Sequence, residues 1–205
     1  MTSKMDSKDG INIAIIPQFY AGREVFITGA TGFVGKVLVE RLLSTCPDIC
    51  RLHLLITVKR GESPEARLDK LKKSPIYDVL HKNKPDQLKK LSLVHGDFNE
   101  VDLGITDKAI DALRDVSIVF HLAASVNMEE NLLTAVKVNT IATMALLDIC
   151  HRLPKIAAFI HVSTGYSNAE RTLIEETVYP LPRPLDTMIE ESLKGGQMTL
   201  DEIKR

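Results

Sequence analysis

The sequence has few cysteines and few aromatic residues. Among 205 residues there are three cysteines and no tryptophan, and aromatic side chains make up 5% of the chain. A small, odd number of cysteines is typical of a reducing compartment and excludes a scaffold stapled by disulfides. Cys46 and Cys50 lie four residues apart, but no second Cys or His pair follows nearby to complete a zinc tetrahedron. We therefore expect structural cysteines and no bound metal.

The chain also lacks an excess of charge and a secretory leader. Its formal net charge is −1, so no overall attraction to nucleic acid or to an anionic membrane is expected. No apolar run approaches the roughly 18–20 residues that span a bilayer. Residues 1–10 are polar and carry no apolar secretory core. We expect no nucleic-acid partner, no signal peptide, no transmembrane segment and a chain that stays on the cytosolic side.

What the sequence does contain is a regular alternation of strand and helix patterns. Short apolar runs predict five strands, at Glu24–Thr28, Leu52–Thr57, Leu91–His95, Ser117–Leu122 and Ala158–Val162. The predicted helices are Phe33–Thr45, a segment opened by Ser63 and Pro64, a lysine-rich amphipathic stretch over 71–90, Thr106–Leu113 and Asn131–Leu153. Strands that alternate with helices imply right-handed crossovers. The predicted fold class is therefore α/β, a doubly wound parallel sheet of the Rossmann type with at least five strands.

The most informative segment is VFITGATGFVG, at Val25–Gly35. A β-branched and aromatic strand ends there in a glycine turn, and an apolar helical pattern starts at once. Such a turn presents backbone N–H groups and the positive end of a helix to a pyrophosphate. Gly29 permits the tight turn, Gly32 lets the backbone approach the phosphates, and Gly35 lets the helix lie close to the sheet. The segment predicts a dinucleotide site formed by Thr28, Gly29, Thr31, Gly32, Phe33, Val34 and Gly35.

The residues after the second strand favour one dinucleotide over the other. An enzyme that uses NAD places a carboxylate there to bind the ribose 2′-hydroxyl. This chain instead has Thr57, Lys59 and Arg60. Lysine and arginine pair with a 2′-phosphate, which a carboxylate would repel. We therefore expect NADPH, held by Lys59 and Arg60; the alternative is a solvent-facing loop that happens to be basic.

These motifs divide the chain into three parts. Residues 1–22 are a polar tail and a short lead-in, and residues 23–165 are the NADP-binding Rossmann domain. Residues 166–205 begin a substrate-side region that is first irregular and then helical. Prolines at 180, 182 and 184 enforce an extended stretch there. We expect the fold to be incomplete at the C-terminus.

Other polar or small residues follow the third and fourth strands, at the sheet edge where ligands bind. Asp97, in the segment Gly96–Phe98, offers a carboxylate at the height of an adenine ring, and Phe98 lies beside it. Ala123, Ala124 and Ser125 are small enough for the backbone to approach the ribose and nicotinamide closely. We include all five residues in the predicted cofactor site.

Two further positions complete the predicted site. Asn139 is a poor helix former inside a long helix, so it either bonds backbone near the cofactor or lies against a strand end. Ser163 and Thr164 follow the fifth strand. A hydroxyl there can donate a hydrogen bond to a substrate carbonyl and stabilise the oxyanion that forms on hydride addition. We therefore assign Ser163 and Thr164 as the candidate catalytic residues.

With these residues in view the chain resembles the alcohol-forming fatty acyl-CoA reductases of the extended short-chain dehydrogenase/reductase superfamily. The resemblance runs from about residue 16 to about residue 185. It rests on the lead-in IPQFYAGREVFITGATGFVGKVLVERLL and on CPDI, KRGESPEARL, GDF, FHLAASV, HVSTGYSN and IEETVYP. It implies reduction of a long-chain fatty acyl-CoA to a primary alcohol by two hydride transfers from NADPH. Ser163 or Thr164 would orient the carbonyl oxygen.

The chain departs from the superfamily at its proton donor, a tyrosine in a Y-x-x-x-K helix. Here the residues four positions after the tyrosines at 20, 77, 166 and 179 are Glu24, His81, Glu170 and Arg183. Only Tyr179 precedes a cation, and the neighbouring prolines forbid a helix between the two. We therefore expect an N-terminal, cofactor-binding portion of such a reductase that is inactive by itself.

The resemblance also implies partners and a location. It implies a fatty acyl-CoA substrate and the cytosolic face of the peroxisomal or endoplasmic-reticulum membrane, with membrane association only through parts absent from this chain. A second copy or a full-length reductase is a possible partner. One alternative is a non-catalytic short form that holds NADP(H) or pairs with the full-length enzyme. Another is an extended reductase or epimerase that acts on sugars or on carrier-bound acyl groups.

Overall fold

A five-stranded, fully parallel sheet forms the centre of the fold. The computed structural model describes residues 15–127, 129–168 and 171–195. The strands are β1 (Glu24–Thr28), β2 (Arg51–Ile56), β3 (Leu91–His95), β4 (Val116–His121) and β5 (Ala158–His161), and they lie in the order β3-β2-β1-β4-β5. The direction of winding reverses between β1 and β4, which creates a crevice outside their carboxyl ends. The predicted Rossmann-type fold class is confirmed.

Helices cover both faces of the sheet. They are α1 (Ile15–Tyr20), α2 (Phe33–Thr45), α3 (Pro64–Lys72), α4 (Asp78–Asn83), α5 (Asp107–Asp111), α6 (Leu132–Val136), α7 (Ala142–Arg152) and α8 (Leu185–Lys194). A π-helical turn, Lys137–Ile141, joins α6 to α7. Short 3₁₀ turns occupy Pro75–Tyr77, Pro85–Lys90 and Val101–Gly104.

The strand side chains alternate between two cores. Val25 and Ile27 of β1 are fully buried in a cluster with the apolar residues of α2, α3 and α4. Phe26, between them, is buried in a second cluster that contains Leu146 and Ile149 of α7. Successive side chains of a strand point to opposite faces, so a central strand covered on both sides is apolar throughout.

The lysine-rich stretch differs from its prediction. Instead of one amphipathic segment over 71–90, the chain forms the end of α3, a 3₁₀ turn, α4 and a second 3₁₀ turn. Pro75 and Pro85 each stand at the first position of a 3₁₀ turn. Proline lacks an N–H and suits the start of a helical turn but not its interior, so the long helix is broken twice.

The terminal parts only partly overlap the predicted boundaries. Residues 1–14 of the predicted tail lie outside the described residues, and α1 occupies most of the lead-in that follows. Residues 162–168 and 171–184 form no helix or strand, and α8 begins at Leu185. Ile189 and Leu193 of α8 are buried, and this helix contacts α6.

One helix bears on the expectation that no segment suits a membrane span. The continuous helix Leu132–Arg152 has 21 residues and a mean hydropathy of 1.5, and 17% of its most apolar window is buried. By length and composition it is able to cross a bilayer. Core helices of soluble proteins share both properties, and Leu146 of this helix is fully buried against the sheet. The finding is therefore weak support for a membrane role.

The packing of α2 makes a first prediction. Leu43 is fully buried between α2 and the sheet, whereas Val37 on the same helix is 37% exposed. We expect Leu43→Ala to lower the free energy of unfolding by about 2–5 kcal/mol, because it leaves a cavity in the core. Val37→Ala is the matched control and should change it by less than about 0.5 kcal/mol. Urea unfolding followed by circular dichroism measures both, and equal effects would contradict this packing.

Candidate functional site

The glycine turn after β1 lies directly against the end of β4. Gly29 has a φ of +74°, and a Cβ added to it would lie 2.7 Å from the Ala123 nitrogen and 2.7 Å from the Leu122 carbonyl carbon. A Cβ on Gly35 would lie 2.2 Å from the Gly29 oxygen. Side chains do not fit at such separations, so both positions require glycine. The turn and the first turn of α2 are thereby fixed over the crevice.

The N-terminus of α2 is open to the crevice. Gly32 is its N-cap and contributes no side-chain hydrogen bond to the first amides. The first residues of the 13-residue helix, Phe33 and Val34, are exposed. The first N–H groups of a helix have no partner within it, and they carry the positive end of the helix dipole. This arrangement can bind the pyrophosphate of a dinucleotide.

A cleft of about 460 Å³ lies in front of these amides. It runs from the end of β2 across the glycine turn to the loop after β4, which suits an extended dinucleotide. The predicted site residues that line it are Gly29, Thr31, Gly32, Phe33, Val34, Gly35, Lys59, Phe98, Ala123 and Ala124. The structure thus brings ten of the predicted residues together around one cleft.

Two predicted cofactor residues lie beside or beneath this cleft. Thr28 is fully buried under it, and its hydroxyl is 2.7 Å from His121 Nδ1. Asp97 directs its carboxylate into its own loop, where Oδ1 accepts hydrogen bonds of 2.9 Å from the Asn99 backbone N–H and from Asn99 Nδ2. Each side chain therefore has partners within the protein.

Ser125 and Asn139 bind each other at the rim of the crevice. Asn139 Oδ1 accepts a 2.7 Å hydrogen bond from the Ser125 backbone N–H, and Asn139 Nδ2 donates a 3.1 Å bond to the Ser125 oxygen. Asn139 lies in the π-helical turn, a feature that often marks functional sites. The interpretation that Asn139 bonds backbone fits this two-point contact, which holds the loop after β4.

The candidate catalytic residues lie at the same sheet edge but are exposed. Ser163 and Thr164 follow β5, whose last residue, His161, pairs with His121 at the end of β4. Thr164 Oγ1 accepts a 3.2 Å hydrogen bond from the Tyr166 backbone N–H. Neither Ser163 nor Thr164 lines the 460 Å³ cleft. Their predicted catalytic role stays a prediction.

Arg67 is a cleft residue that sequence reasoning missed. From α3 its guanidinium donates a 2.8 Å hydrogen bond to Thr31 Oγ1 and also bonds the Thr57 backbone oxygen and, at 3.3 Å, the Thr57 hydroxyl. It therefore ties the glycine turn to the end of β2. The only signal in the sequence is its place in the segment KRGESPEARL, on the first turn of a helix that Ser63 caps.

Arg67 also borders a basic pocket of about 410 Å³ at the end of β2. The pocket adjoins the cleft, since Thr31, Gly32, Lys59 and Arg67 line both. Its other charged residues are Lys36, Arg60, Glu62 and Lys70. Arg60 stands in a tight turn, with a φ of +53°, where Lys59 and Glu62 pair through their backbones. Positive charge therefore dominates the point where an NAD enzyme would place a carboxylate.

Fold, glycine turn and cleft together define a dinucleotide-binding domain of the Rossmann type. Among the described residues, no cluster of three or more His, Cys, Asp or Glu side chains is arranged to hold a metal ion.

Comparison with known families identifies the group to which the chain belongs. A family model described as "Male sterility protein", an NAD-binding domain, matches residues 27–204. The chain is 40% identical over 176 residues to fatty acyl-CoA reductase 1 of Xenopus laevis and 36% identical over 168 residues to that of Homo sapiens. These matches cover 85% and 82% of the chain. The chain belongs to this male sterility family of fatty acyl-CoA reductases, and it spans about a third of the length of these relatives.

Solved structures agree with the fold. The reductase domain of a non-ribosomal peptide synthetase from Mycobacterium tuberculosis matches with a TM-score of 0.55 and 29% identity, over 78% of this chain and 38% of that one. The terminal reductase domain of the myxalamid pathway has a TM-score of 0.58 at 24% identity, over 71% of this chain and 35% of that one. The second likeness shows the fold alone. The first likeness is to a reductase domain, and together with the NAD-binding family model it supports a nicotinamide cofactor.

The close contacts of Gly35 predict that adding a single methyl group at this position destabilises the fold. Gly35→Ala would place a Cβ 2.2 Å from the Gly29 oxygen, so α2 must move away from the turn. We expect the free energy of unfolding to fall by about 1–3 kcal/mol or more. In Gly195→Ala the new Cβ lies 3.6 Å from the Ser192 oxygen, an ordinary contact, so this control should unfold like the parent. Thermal unfolding distinguishes the two, and a neutral Gly35→Ala would show that the turn is not so close.

Proposed function

We propose that this chain is the NADPH-binding part of a reductase that converts long-chain fatty acyl-CoA to primary fatty alcohol. The observation that carries the choice of NADPH is the position of Arg67. Its guanidinium joins Thr31 to Thr57 at the end of β2, where it faces the basic pocket. A planar guanidinium is well suited to bind a phosphate through two hydrogen bonds.

The residues present fit a dinucleotide phosphate. The positions of Gly29 and Gly35 leave no room for side chains, and the uncapped amides of α2 offer donors to a pyrophosphate. Lys59, Arg60 and Arg67 would hold a 2′-phosphate. Phe98 would border the adenine, and Ala123 and Ala124 would allow close approach at the nicotinamide end. Asp97 would contribute through its loop, because its carboxylate already binds Asn99.

The chemistry divides between the cofactor and the chain. When bound, NADPH supplies the hydride that reduces a carbonyl. On the protein side, Ser163 and Thr164 would donate hydrogen bonds to the carbonyl oxygen and stabilise its developing negative charge. The names of the relatives support fatty acyl-CoA as the substrate class.

A second candidate function, a non-catalytic NADP-binding module, is favoured by the state of Tyr179. Its hydroxyl accepts a 2.8 Å hydrogen bond from the Glu175 backbone N–H, and its ring lies 3.9 Å from the Arg171 guanidinium carbon. Arg183, four residues on, pairs with Glu191 at 2.6 Å instead. Tyr179 and Arg183 therefore do not act as a tyrosine–cation proton donor. Such a module would bind NADPH without reducing a thioester.

Cofactor preference tests the role of Arg67. We expect the chain to bind NADPH more tightly than NADH, and Arg67→Gln to weaken NADPH binding by about 10–100-fold, because a charge-assisted hydrogen bond is lost. NADH binding should change less. Lys82→Gln removes the same charge from an exposed position on α4 and should leave both affinities unchanged. Calorimetry gives the dissociation constants, and equal losses for NADPH and NADH in Arg67→Gln would contradict 2′-phosphate recognition.

Turnover distinguishes the two candidate functions. With NADPH and palmitoyl-CoA, the 205-residue chain should bind cofactor but form no hexadecanol by gas chromatography, because none of its tyrosines is followed four residues later by a lysine. A chimera in which residues 27–185 replace the matching segment of the Xenopus laevis reductase should form the alcohol. The same chimera with Arg67→Gln should need more NADPH for half-maximal rate. A folded chimera that binds NADPH but forms no alcohol would favour the non-catalytic module.

A further inference from the structure

His121 joins three elements beneath the cleft. It ends β4, is 1% exposed, and lies between two threonine hydroxyls. Its Nδ1 is 2.7 Å from Thr28 Oγ1 on β1, and its Nε2 is 2.9 Å from Thr143 Oγ1 on α7. A neutral imidazole has one donor and one acceptor, so it can pass a hydrogen bond from one hydroxyl to the other in one of two directions.

The partners of the two hydroxyls decide the direction. Thr143 Oγ1 donates its single proton to the Asn139 backbone oxygen at 3.0 Å, so it must accept from His121 Nε2–H. On the other side, the Ala123 backbone N–H donates to Thr28 Oγ1 at 3.2 Å. The Thr28 proton is then directed at His121 Nδ1, which accepts it. The Ala123 N–H, the Thr28 hydroxyl, the His121 ring, the Thr143 hydroxyl and the Asn139 oxygen are all paired only when donation runs away from Ala123 up to Thr28 and His121 Nδ1, and from His121 Nε2–H through Thr143 to Asn139.

The chain of bonds closes on itself through the loop after β4. It starts at the Ala123 N–H and ends at the Asn139 backbone oxygen, and the Asn139 side chain binds both the N–H and the oxygen of Ser125. The backbone of Ala123 and Ala124, which line the cleft, is part of this closed ring, because it joins the Ala123 N–H to Ser125. The ring therefore connects the buried imidazole to the backbone that faces the ligand.

We propose that His121 is a positioning residue that holds the loop 123–125 in place. It does so as a neutral imidazole with its proton on Nε2, which sets the direction of hydrogen-bond donation around this ring. The tautomer follows from the hydrogen bonds of the folded chain alone. The effect of His121 on cofactor binding rests on the function proposed above.

The surroundings of the ring support the neutral form. His121 stacks on His161 of β5, with ring centroids 5.1 Å apart, and its other ring neighbours are the uncharged Phe98 and Phe159. Burial lowers the pKa of His121 to about 4, and the charge of His161 acts in the same direction. A proton on Nδ1 would also leave the buried Thr28 hydroxyl without its acceptor. Stability from this group is thus complete above the unfolded pKa of 6.5 and is lost as the pH falls towards 4.

The direct test is nitrogen NMR of the histidine rings in the cofactor-free chain. The His121 signals, identified by their loss in His121→Gln, should show a proton on Nε2 and none on Nδ1 down to about pH 5. Thr143→Val removes the acceptor of Nε2–H and should move the Nε2 signal, while the Thr28 hydroxyl still donates to Nδ1 and keeps that nitrogen without a proton. Thr140→Val, on the same helix but outside the ring, should leave the signals unchanged. A proton on Nδ1, or a cationic ring at neutral pH, would overturn the proposal.

NADPH affinity tests the consequence for the loop. Thr28→Val and Thr143→Val should each weaken NADPH binding by about fivefold, which corresponds to one hydrogen bond. Thr28→Ser keeps the hydroxyl and should restore parental affinity. The double variant should lose less than the product of the single effects, since each substitution breaks the same ring. Independent, multiplicative losses would contradict a shared ring.

The two proposals fail in different ways. If the His121 tautomer is as described but the parent chain does not bind NADPH, the proposed function fails and the ring stands. If the parent binds NADPH but His121 carries its proton on Nδ1, the ring fails and the proposed function stands.

Discussion

The close approach of the Gly29 backbone to the backbone of Leu122 and Ala123 is the constraint on which the site depends. A Cβ on Gly29 would lie 2.7 Å from the Ala123 nitrogen and from the Leu122 carbonyl carbon, so no side chain fits there. Because residue 29 is glycine, β1 can turn into α2 directly over the end of β4. β1 is the central strand, with β2 on one side and β4 on the other. The turn therefore faces the crevice at the switch in winding direction, where open α/β sheets bind ligands.

The same approach determines what lies beneath the cleft. Thr28 immediately precedes Gly29 and is fully buried, so its hydroxyl must find partners inside the protein. His121 and the Ala123 N–H supply them, and both belong to the strand and loop that the turn covers. A polar layer under the glycine turn thus contacts the backbone that lines the cleft, while the apolar cores on both faces of the sheet fix the strands themselves.

Local signals made some parts of the site predictable from sequence, and distant contacts hid the rest. α2 has its predicted bounds, Phe33–Thr45, because the glycine turn before it and Pro47 after it are signals within a few residues. Arg67 lines the cleft only because the fold brings the glycine turn and the residue after β2 to α3, so no local pattern in the sequence marks it. Asp97 shows the opposite case. Its carboxylate accepts a hydrogen bond from the backbone N–H of the nearby Asn99, and this local bond competes with a ligand.

The two ends of the crevice differ in the functional groups that they offer to a ligand. Around β1 and β2, the described residues supply uncapped amides, a guanidinium fixed by two threonines, and a basic pocket. After β5, the candidate hydroxyls are exposed, and Tyr179, further along the chain, is engaged with Arg171 and with the backbone of its own loop. Binding of the adenosine and phosphate groups needs only the first set, whereas protonation of a reduced carbonyl needs a donor at the second. Under the proposed function, cofactor affinity and thioester reduction therefore depend on different stretches of the family's sequence, and the residues described here carry the first.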